Sequence, residues 1–258
     1  MRRTGEPPVT FEIVAAADWA DRVAGLLADR FAERPDLVVC LPTGSTPGPV
    51  YERLPAALAG RNIPVAGATI VVLDDYLGLP PRHPARCERM LHTELVDRLD
   101  PPPGRVIAFD VDAPDPSRAC RAFDRAIAAT GGLDLVVLGL GRNGHVGMNE
   151  PGSPADAPTR VIELAPSTRD AARGYGADPV PTHGVTLGIA GILAARDVWL
   201  LATGAGKAEI LARTLDGPIT PDVPASLLRG HPGLRVIVDE AAATGLAGHG
   251  TPITVAAP

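Results

Sequence analysis

Short apolar runs alternate along this chain with segments in which apolar residues recur every three or four positions. The runs at 37–41, 68–73, 105–109 and 133–138 are rich in Val, Ile and Leu, as befits strands buried on both faces. The segments 48–58, 84–98 and 116–129 between them carry helical spacing. Upstream, 11–14 predicts an outer strand, and Trp19, Val23, Leu26, Leu27 and Phe31 form one helical stripe, with Trp19 read as core. Downstream, strands at 160–164, 197–202 and 234–238, with helices at 186–194 and 206–214, are expected to extend the same sheet. Strand–helix alternation requires right-handed crossovers, so the predicted class is α/β, a mostly parallel sheet with helices on both faces. No linker or repeat interrupts the pattern, and 1–258 reads as one domain.

Composition narrows the partners. A formal charge of −6 and a pI near 5.5 argue against nucleic acid or an anionic membrane as ligand. Cys40, Cys87 and Cys120 are odd in number and lack metal-ligand spacing, so no metal site is expected and free thiols in a reducing compartment fit best. Arg2 and Arg3 precede no apolar core, and no run is long and charge-free enough to span a bilayer, which makes the cytoplasm the expected location.

The chemistry gathers in loops that follow three of the apolar runs. After 37–41 comes Pro42-Thr43-Gly44-Ser45-Thr46-Pro47, then a helical segment. Glycine permits close backbone approach, hydroxyls donate hydrogen bonds, and a helix amino terminus attracts anions, so Thr43, Gly44, Ser45 and Thr46 form a candidate phosphate cradle. The alternative is an ordinary turn capped by Ser45 or Thr46. After 68–73 comes Asp74-Asp75-Tyr76. Successive side chains of an extended segment point to opposite sides, so one acid faces a ligand while the other caps or pairs locally. After 133–138, a glycine-loosened turn carries Asn143, His145 and Glu150 at what should be the carboxyl edge of the sheet, where open α/β proteins bind ligands. Lys207 and Arg173 are the cations available to an anion, each with an ordinary solvated-surface reading beside it.

Together, Leu41-Pro42-Thr43-Gly44-Ser45-Thr46-Pro47, Asp74-Asp75-Tyr76-Leu77-Gly78-Leu79-Pro80 and Asn143-Gly144-His145 through Asn149-Glu150-Pro151-Gly152 resemble the glucosamine-6-phosphate deaminase family. Val185-Thr186-Leu187-Gly188, Ala202-Thr203-Gly204-Ala205-Gly206-Lys207 and Val223-Pro224-Ala225-Ser226-Leu227-Leu228 continue the resemblance in order. It implies a Rossmann-like sugar-phosphate isomerase/deaminase architecture with a short lid near 165–184, an amino-sugar phosphate as substrate, no cofactor, and a homo-oligomer. It also implies roles: Asp74 as the base that moves a proton from C2 to C1, His145 for ring opening, Glu150 to tune that histidine, and Asp75 in support. Thr43, Gly44, Ser45 and Thr46 would hold the phosphate with Lys207 as counter-charge.

The chain departs from the family at two points. The family's phosphate arginine falls on Gly174, and Arg173 takes its place only if one lid residue is deleted. Asn143 stands where familiar members carry aspartate beside the histidine. A neutral amide orients a ring but lends it no charge. If the asparagine is a loss of catalytic power, Asn143→Asp should raise turnover of glucosamine 6-phosphate. If it is tuned to the galactosamine epimer, the same change should not help that sugar. If it merely holds the turn, Glu150 supplies the charge.

Three other functions compete. A 6-phosphogluconolactonase-like hydrolase would carry no Asn149-Glu150-Pro151. A non-catalytic sugar-phosphate sensor would need an appended DNA-binding region, and the segment before residue 37 offers only a strand and a helix. A role in the aminating direction uses the same catalyst and is not separable by sequence. By the same resemblance Arg160 matches a position that binds effector in regulated relatives, beside the ordinary reading of a lone arginine at a strand start.

Overall fold

A computed structural model of the chain describes residues 10–246, so Arg2 and Arg3 lie outside the described residues. Its main sheet has seven strands: β1 (Thr10–Val14), β2 (Val38–Leu41), β3 (Thr69–Val72), β5 (Arg105–Ile107), β6 (Leu135–Gly139), β9 (Asp197–Ala202) and β10 (Leu234–Asp239). The spatial order is β1-β10-β9-β6-β2-β3-β5, and every neighbouring pair is parallel. The helices are α1 (Trp19–Glu33), α2 (Gly48–Gly60), α3 (Cys87–Glu94), α4 (Pro116–Ala128), α5 (Pro166–Gly174), α6 (Ile189–Leu193), α7 (Ala208–Leu215) and α8 (Glu240–Ala243), with short 3-10 turns between them.

The strands are apolar throughout because both sheet faces are covered. On β2, Val39 and Leu41 join the core beneath α1 and α2, while Val38 and Cys40 join the core beneath α4 and α7. Residues of β6 divide in the same way, Leu135 and Val137 to one side and Val136 and Leu138 to the other. Trp19 lies in the first core, 3% exposed, with its indole N–H 3.4 Å from the Ile237 carbonyl. None of the described helices is long and apolar enough to cross a membrane.

The chain winds from β2 outward through β3 to β5, then returns to place β6 on the other side of β2. Between β2 and β6 the order therefore reverses, and the loops leaving their carboxyl ends diverge to open a crevice. Both the Thr43–Thr46 segment and the His145 loop leave from this point.

Several expected elements fall elsewhere. Residues 160–164 do not extend the main sheet: β7 (Arg160–Glu163) pairs with β8 (His183–Thr186), and β8 with β4 (Asp74–Tyr76), in a separate antiparallel sheet of three strands. β7 is only partly buried, with Val161 and Ile162 packed against the edges of the two cores, unlike the fully buried core strands. The helix expected at 186–194 shrinks to α6, because 183–186 is strand and a side chain at Gly188 would strike the backbone of Ala157 and Pro158. The helix expected at 84–98 divides into α3 and a 3-10 turn at Val96–Arg98.

Candidate active site

The crevice is a cavity of about 720 Å³ walled by the Thr43–Thr46 loop, Asp74, Cys87, the Gly139–His145 loop, α5 and Lys207. The structure thus brings together Thr43, Gly44, Ser45, Thr46, Asp74, His145 and Lys207. Glu150 and Asn143 stand behind His145.

The paired acids separate as β4 directs them. Asp75 turns inward and accepts hydrogen bonds from the backbone N–H groups of Tyr76 at 2.7 Å, Cys87 at 2.8 Å and Glu88 at 3.3 Å. It therefore ties the first turn of α3 to β4, a capping contact made from a distant strand. Burial pushes its carboxyl up to about 6 against those three hydrogen bonds.

Asp74 faces the cavity. Burial pushes its carboxyl up to about 7, the charge of Asp75 adds to the rise, and a hydrogen bond with the Cys87 thiol and the charge of His145 oppose it. A carboxylate poised there accepts and returns a proton near neutrality at low cost. Burial holds the Cys87 thiol well above its usual range, so it stays protonated; it is hydrogen-bonded to Asp74 and to Thr43, joining the acid to the cradle.

His145 lies against the backbone of Gly141, where a methyl group would overlap the imidazole ring, so glycine is required at that position. Its Nδ1 is 3.4 Å from Glu150 Oε2, an ion-pair contact longer than a good hydrogen bond, and has no closer partner. Glu150 itself is densely held: Asn143 Nδ2 donates at 2.8 Å, Thr168 Oγ1 at 2.5 Å and the Ala165 N–H at 3.3 Å. Burial acts to raise the Glu150 carboxyl, but His145, Thr168 and Asn143 outweigh it and hold it at about 2. The stability this gives is complete above the ordinary value of 4.5 and is lost as pH falls through about 2. Asn143 also accepts from the His145 N–H at 3.1 Å, so its amide braces the turn while Glu150 carries the charge.

The cradle loop is braced from beneath by Tyr51, whose hydroxyl donates to the Pro42 carbonyl at 2.6 Å. Gly44 has φ +111° and a Cβ there would meet the Tyr175 hydroxyl, which accepts from the Ser45 N–H at 3.3 Å. Helix α2 starts at Pro47 without a side-chain cap, so neither Ser45 nor Thr46 makes the capping contact of the alternative reading. Lys207 donates to the Leu140 carbonyl at 2.6 Å, and burial followed by the charge of Arg142 lowers its ammonium below the ordinary value.

Arg173 stands apart from the other candidates. It is exposed, pairs with Asp170 at 2.5 Å and does not line the cavity, because α5 turns Ser167, Thr168, Asp170 and Ala171 inward instead. Arg160 bonds Asn149 at 2.8 Å and Ser153 at 2.7 Å, bracing the segment that carries Glu150. Sequence reasoning missed Cys87, Tyr175 and Arg142 as cavity residues and Thr168 as a partner of Glu150. Arg142 was visible as a cation on the histidine loop; nothing local marks Cys87, which arrives by folding. Among the described residues no three His, Cys, Asp or Glu side chains gather as a metal-ligand group.

The same arrangement of chain is found in known proteins. The family model described as glucosamine-6-phosphate isomerases/6-phosphogluconolactonase matches residues 12–237. A glucosamine-6-phosphate deaminase of Beutenbergia cavernae is 42% identical over 242 residues, covering 91% of this chain and 92% of its own. That of Streptomyces coelicolor is 42% identical over 227 residues, covering 87% of each chain. Among solved structures, a monomeric glucosamine-6-phosphate deaminase superposes with a TM-score of 0.87 at 32% identity, over 92% of this chain and 100% of its own. A 6-phosphogluconolactonase of Thermotoga maritima shares the fold, with a TM-score of 0.72 at 24% identity over 90% of this chain and 100% of its own. With matches of this extent, the chain belongs to the glucosamine-6-phosphate isomerase/6-phosphogluconolactonase family.

Proposed function

We propose that the protein deaminates a 2-amino-2-deoxy-hexose 6-phosphate, glucosamine 6-phosphate foremost, giving fructose 6-phosphate and ammonia. The observation that carries this reading is Asp74, a cavity-facing acid raised to about 7, set in one crevice with an anion cradle and a histidine backed by Glu150. A lactone hydrolase has no use for a group that shuttles protons between adjacent carbons. The deaminase names of the relatives at 42% identity support the same branch of the family.

Three steps account for the reaction. His145 passes the anomeric hydroxyl proton to the ring oxygen, opening the pyranose, while Glu150 stabilises the charge it acquires. Asp74 takes the C2 proton and returns it at C1, and as a proton passes from the amine nitrogen to O1 the open-chain amino aldose becomes a ketimine. Water adds to C2 of the ketimine and ammonia leaves, so an isomerisation is joined to a hydrolysis. The phosphate rests on Thr43, Gly44, Ser45 and Thr46, with Lys207 as counter-charge.

All of these residues come from one chain, so the site needs no second copy, whatever oligomer forms. Three buried free cysteines suit a reducing cytoplasm.

Incubation with glucosamine 6-phosphate, galactosamine 6-phosphate and their N-acetyl forms should yield equal amounts of ammonia and ketose phosphate from at least one free amine, with no effect of chelators. Binding of both epimers without turnover would make the protein a sensor instead. Because Asp74 must be ionised to act as base, kcat/KM should rise with pH through about 7 and then level on that limb. A flat profile from pH 5.5 to 8 would remove Asp74 from the role.

A further inference from the structure

We propose that Arg142 is the guanidinium that grips the substrate phosphate, taking the part that the family resemblance assigns to an arginine of the lid; this rests on the deaminase reading above. Neither arginine of the lid helix, Arg169 or Arg173, lines the cavity in this arrangement. Position 174 is glycine, and Arg173 is exposed and committed to Asp170 at 2.5 Å. What α5 turns toward the cavity is an acid, Asp170. A phosphate monoester carries about 1.5 to 2 negative charges near neutrality, so Lys207 alone leaves the ligand under-neutralised.

Arg142 lies on the cavity wall beside Lys207. Leu140, two residues before it, holds the Lys207 ammonium through its carbonyl at 2.6 Å, and the charge of Arg142 is felt at Lys207. Among the described residues Arg142 has neither an ion pair nor a side-chain hydrogen bond, whereas Arg160 bonds Asn149, Arg173 pairs with Asp170 and Arg86 pairs with Asp112. Two cations kept close with no acid between them repel each other, and a shared dianion turns that repulsion into a site. The planar fork of arginine suits a phosphate better than a second lysine would.

The placement also has a catalytic consequence. Arg142 and His145 ride on one loop, braced by Asn143 through the His145 N–H at 3.1 Å. Binding energy from the phosphate therefore acts on the segment that positions the imidazole, an economy a lid arginine would not provide.

Inorganic phosphate is the probe, with binding measured by calorimetry on the wild type and on Arg142→Ala, Arg142→Lys and Arg173→Ala. Arg142→Ala should weaken phosphate binding roughly 10- to 100-fold, with an unchanged Tm because the side chain is exposed and unbonded. Arg142→Lys should recover part of the loss, and Arg173→Ala should bind like wild type. In turnover, Arg142→Ala should raise KM for the amino-sugar phosphate by a similar factor. Wild-type phosphate affinity in Arg142→Ala, or a loss confined to Arg173→Ala, overturns the assignment. Phosphate binding is read without turnover, so failure of the deaminase assay in wild type would sink the function while leaving Arg142 separately tested.

Discussion

Asp74→Asn is expected to lower turnover by about 10²- to 10⁴-fold, the usual contribution of a positioned base, while sugar-phosphate affinity stays within a few-fold. The amide keeps the shape of the carboxylate but cannot take the C2 proton. The same substitution should stabilise the protein. Asp74 is raised from 3.8 to about 7 because burial penalises its charged form. Below 3.8 it is neutral in both folded and unfolded chains and costs nothing. Between 3.8 and about 7 the unfolded chain ionises while burial keeps the folded carboxyl protonated, so stability falls across that window, and the loss is complete above about 7. Asparagine escapes that cost, so its Tm should exceed that of wild type at pH 8, with the difference shrinking as pH falls toward 4. Asp75→Asn would escape a burial cost of the same sign, since that carboxyl is also raised, to about 6, but it breaks backbone hydrogen bonds that Asp74 does not make. The Asp75 carboxylate holds the start of α3 through the N–H groups of Cys87 and Glu88 and also accepts from Tyr76 in β4, so on balance the variant should lose stability. A variant at Asp75 that loses C2 exchange while Asp74→Asn keeps it would reverse the two assignments.

The second large effect is expected at Glu150. Its two oxygens accept from Asn143, Thr168 and the Ala165 N–H, and one contacts His145. In Glu150→Gln the amide must present a donor either to Thr168 and Ala165 or to Asn143 and His145, so one set of contacts is broken whichever way it turns. Loss of charge-assisted bonds of this kind, about 1.5–3 kcal/mol, predicts a fall in kcat of roughly 10- to 100-fold and a lower Tm. Because Thr168 and Ala165 stand at the start of α5, the change should also loosen the lid, visible as faster amide exchange in 165–175. The same geometry reverses what the family pattern suggested for Asn143. An aspartate there would set a second carboxylate where Asn143 Nδ2 now lies 2.8 Å from Glu150. Two such acids do not both ionise cheaply, so Asn143→Asp should lower turnover of glucosamine 6-phosphate rather than raise it. A gain in kcat for that variant would show that Asn143 is a weakened aspartate and not a brace.

The main sheet was legible because its strands are buried on both faces and therefore read as unbroken apolar runs, while its helices show one apolar stripe each. The small sheet was not. Asp74-Asp75-Tyr76 is too short and too polar to read as a strand, and β7 is half-exposed with no alternation to betray a buried face. The residues that line the crevice were legible where glycine, histidine and acids cluster within one loop. Cys87 reaches Asp74 only through the packing of α3 on β4, and Tyr175 reaches the cradle only through the course of the lid. Where Arg173 would point was not legible, because that depends on the helical phase of α5, which turns it to solvent beside Asp170.

The central claim is that Asp74 carries a proton from C2 to C1, and substrate deuterated at C2 tests it most directly. Glucosamine 6-phosphate labelled there should show a slowed turnover, and its deuterium should appear at C1 of the ketose phosphate or in solvent, with one ammonia per ketose and no exchange in Asp74→Asn. Ammonia released with the deuterium still on C2, or rapid hydrolysis of 6-phosphogluconolactone without ammonia from either amino sugar, would contradict it.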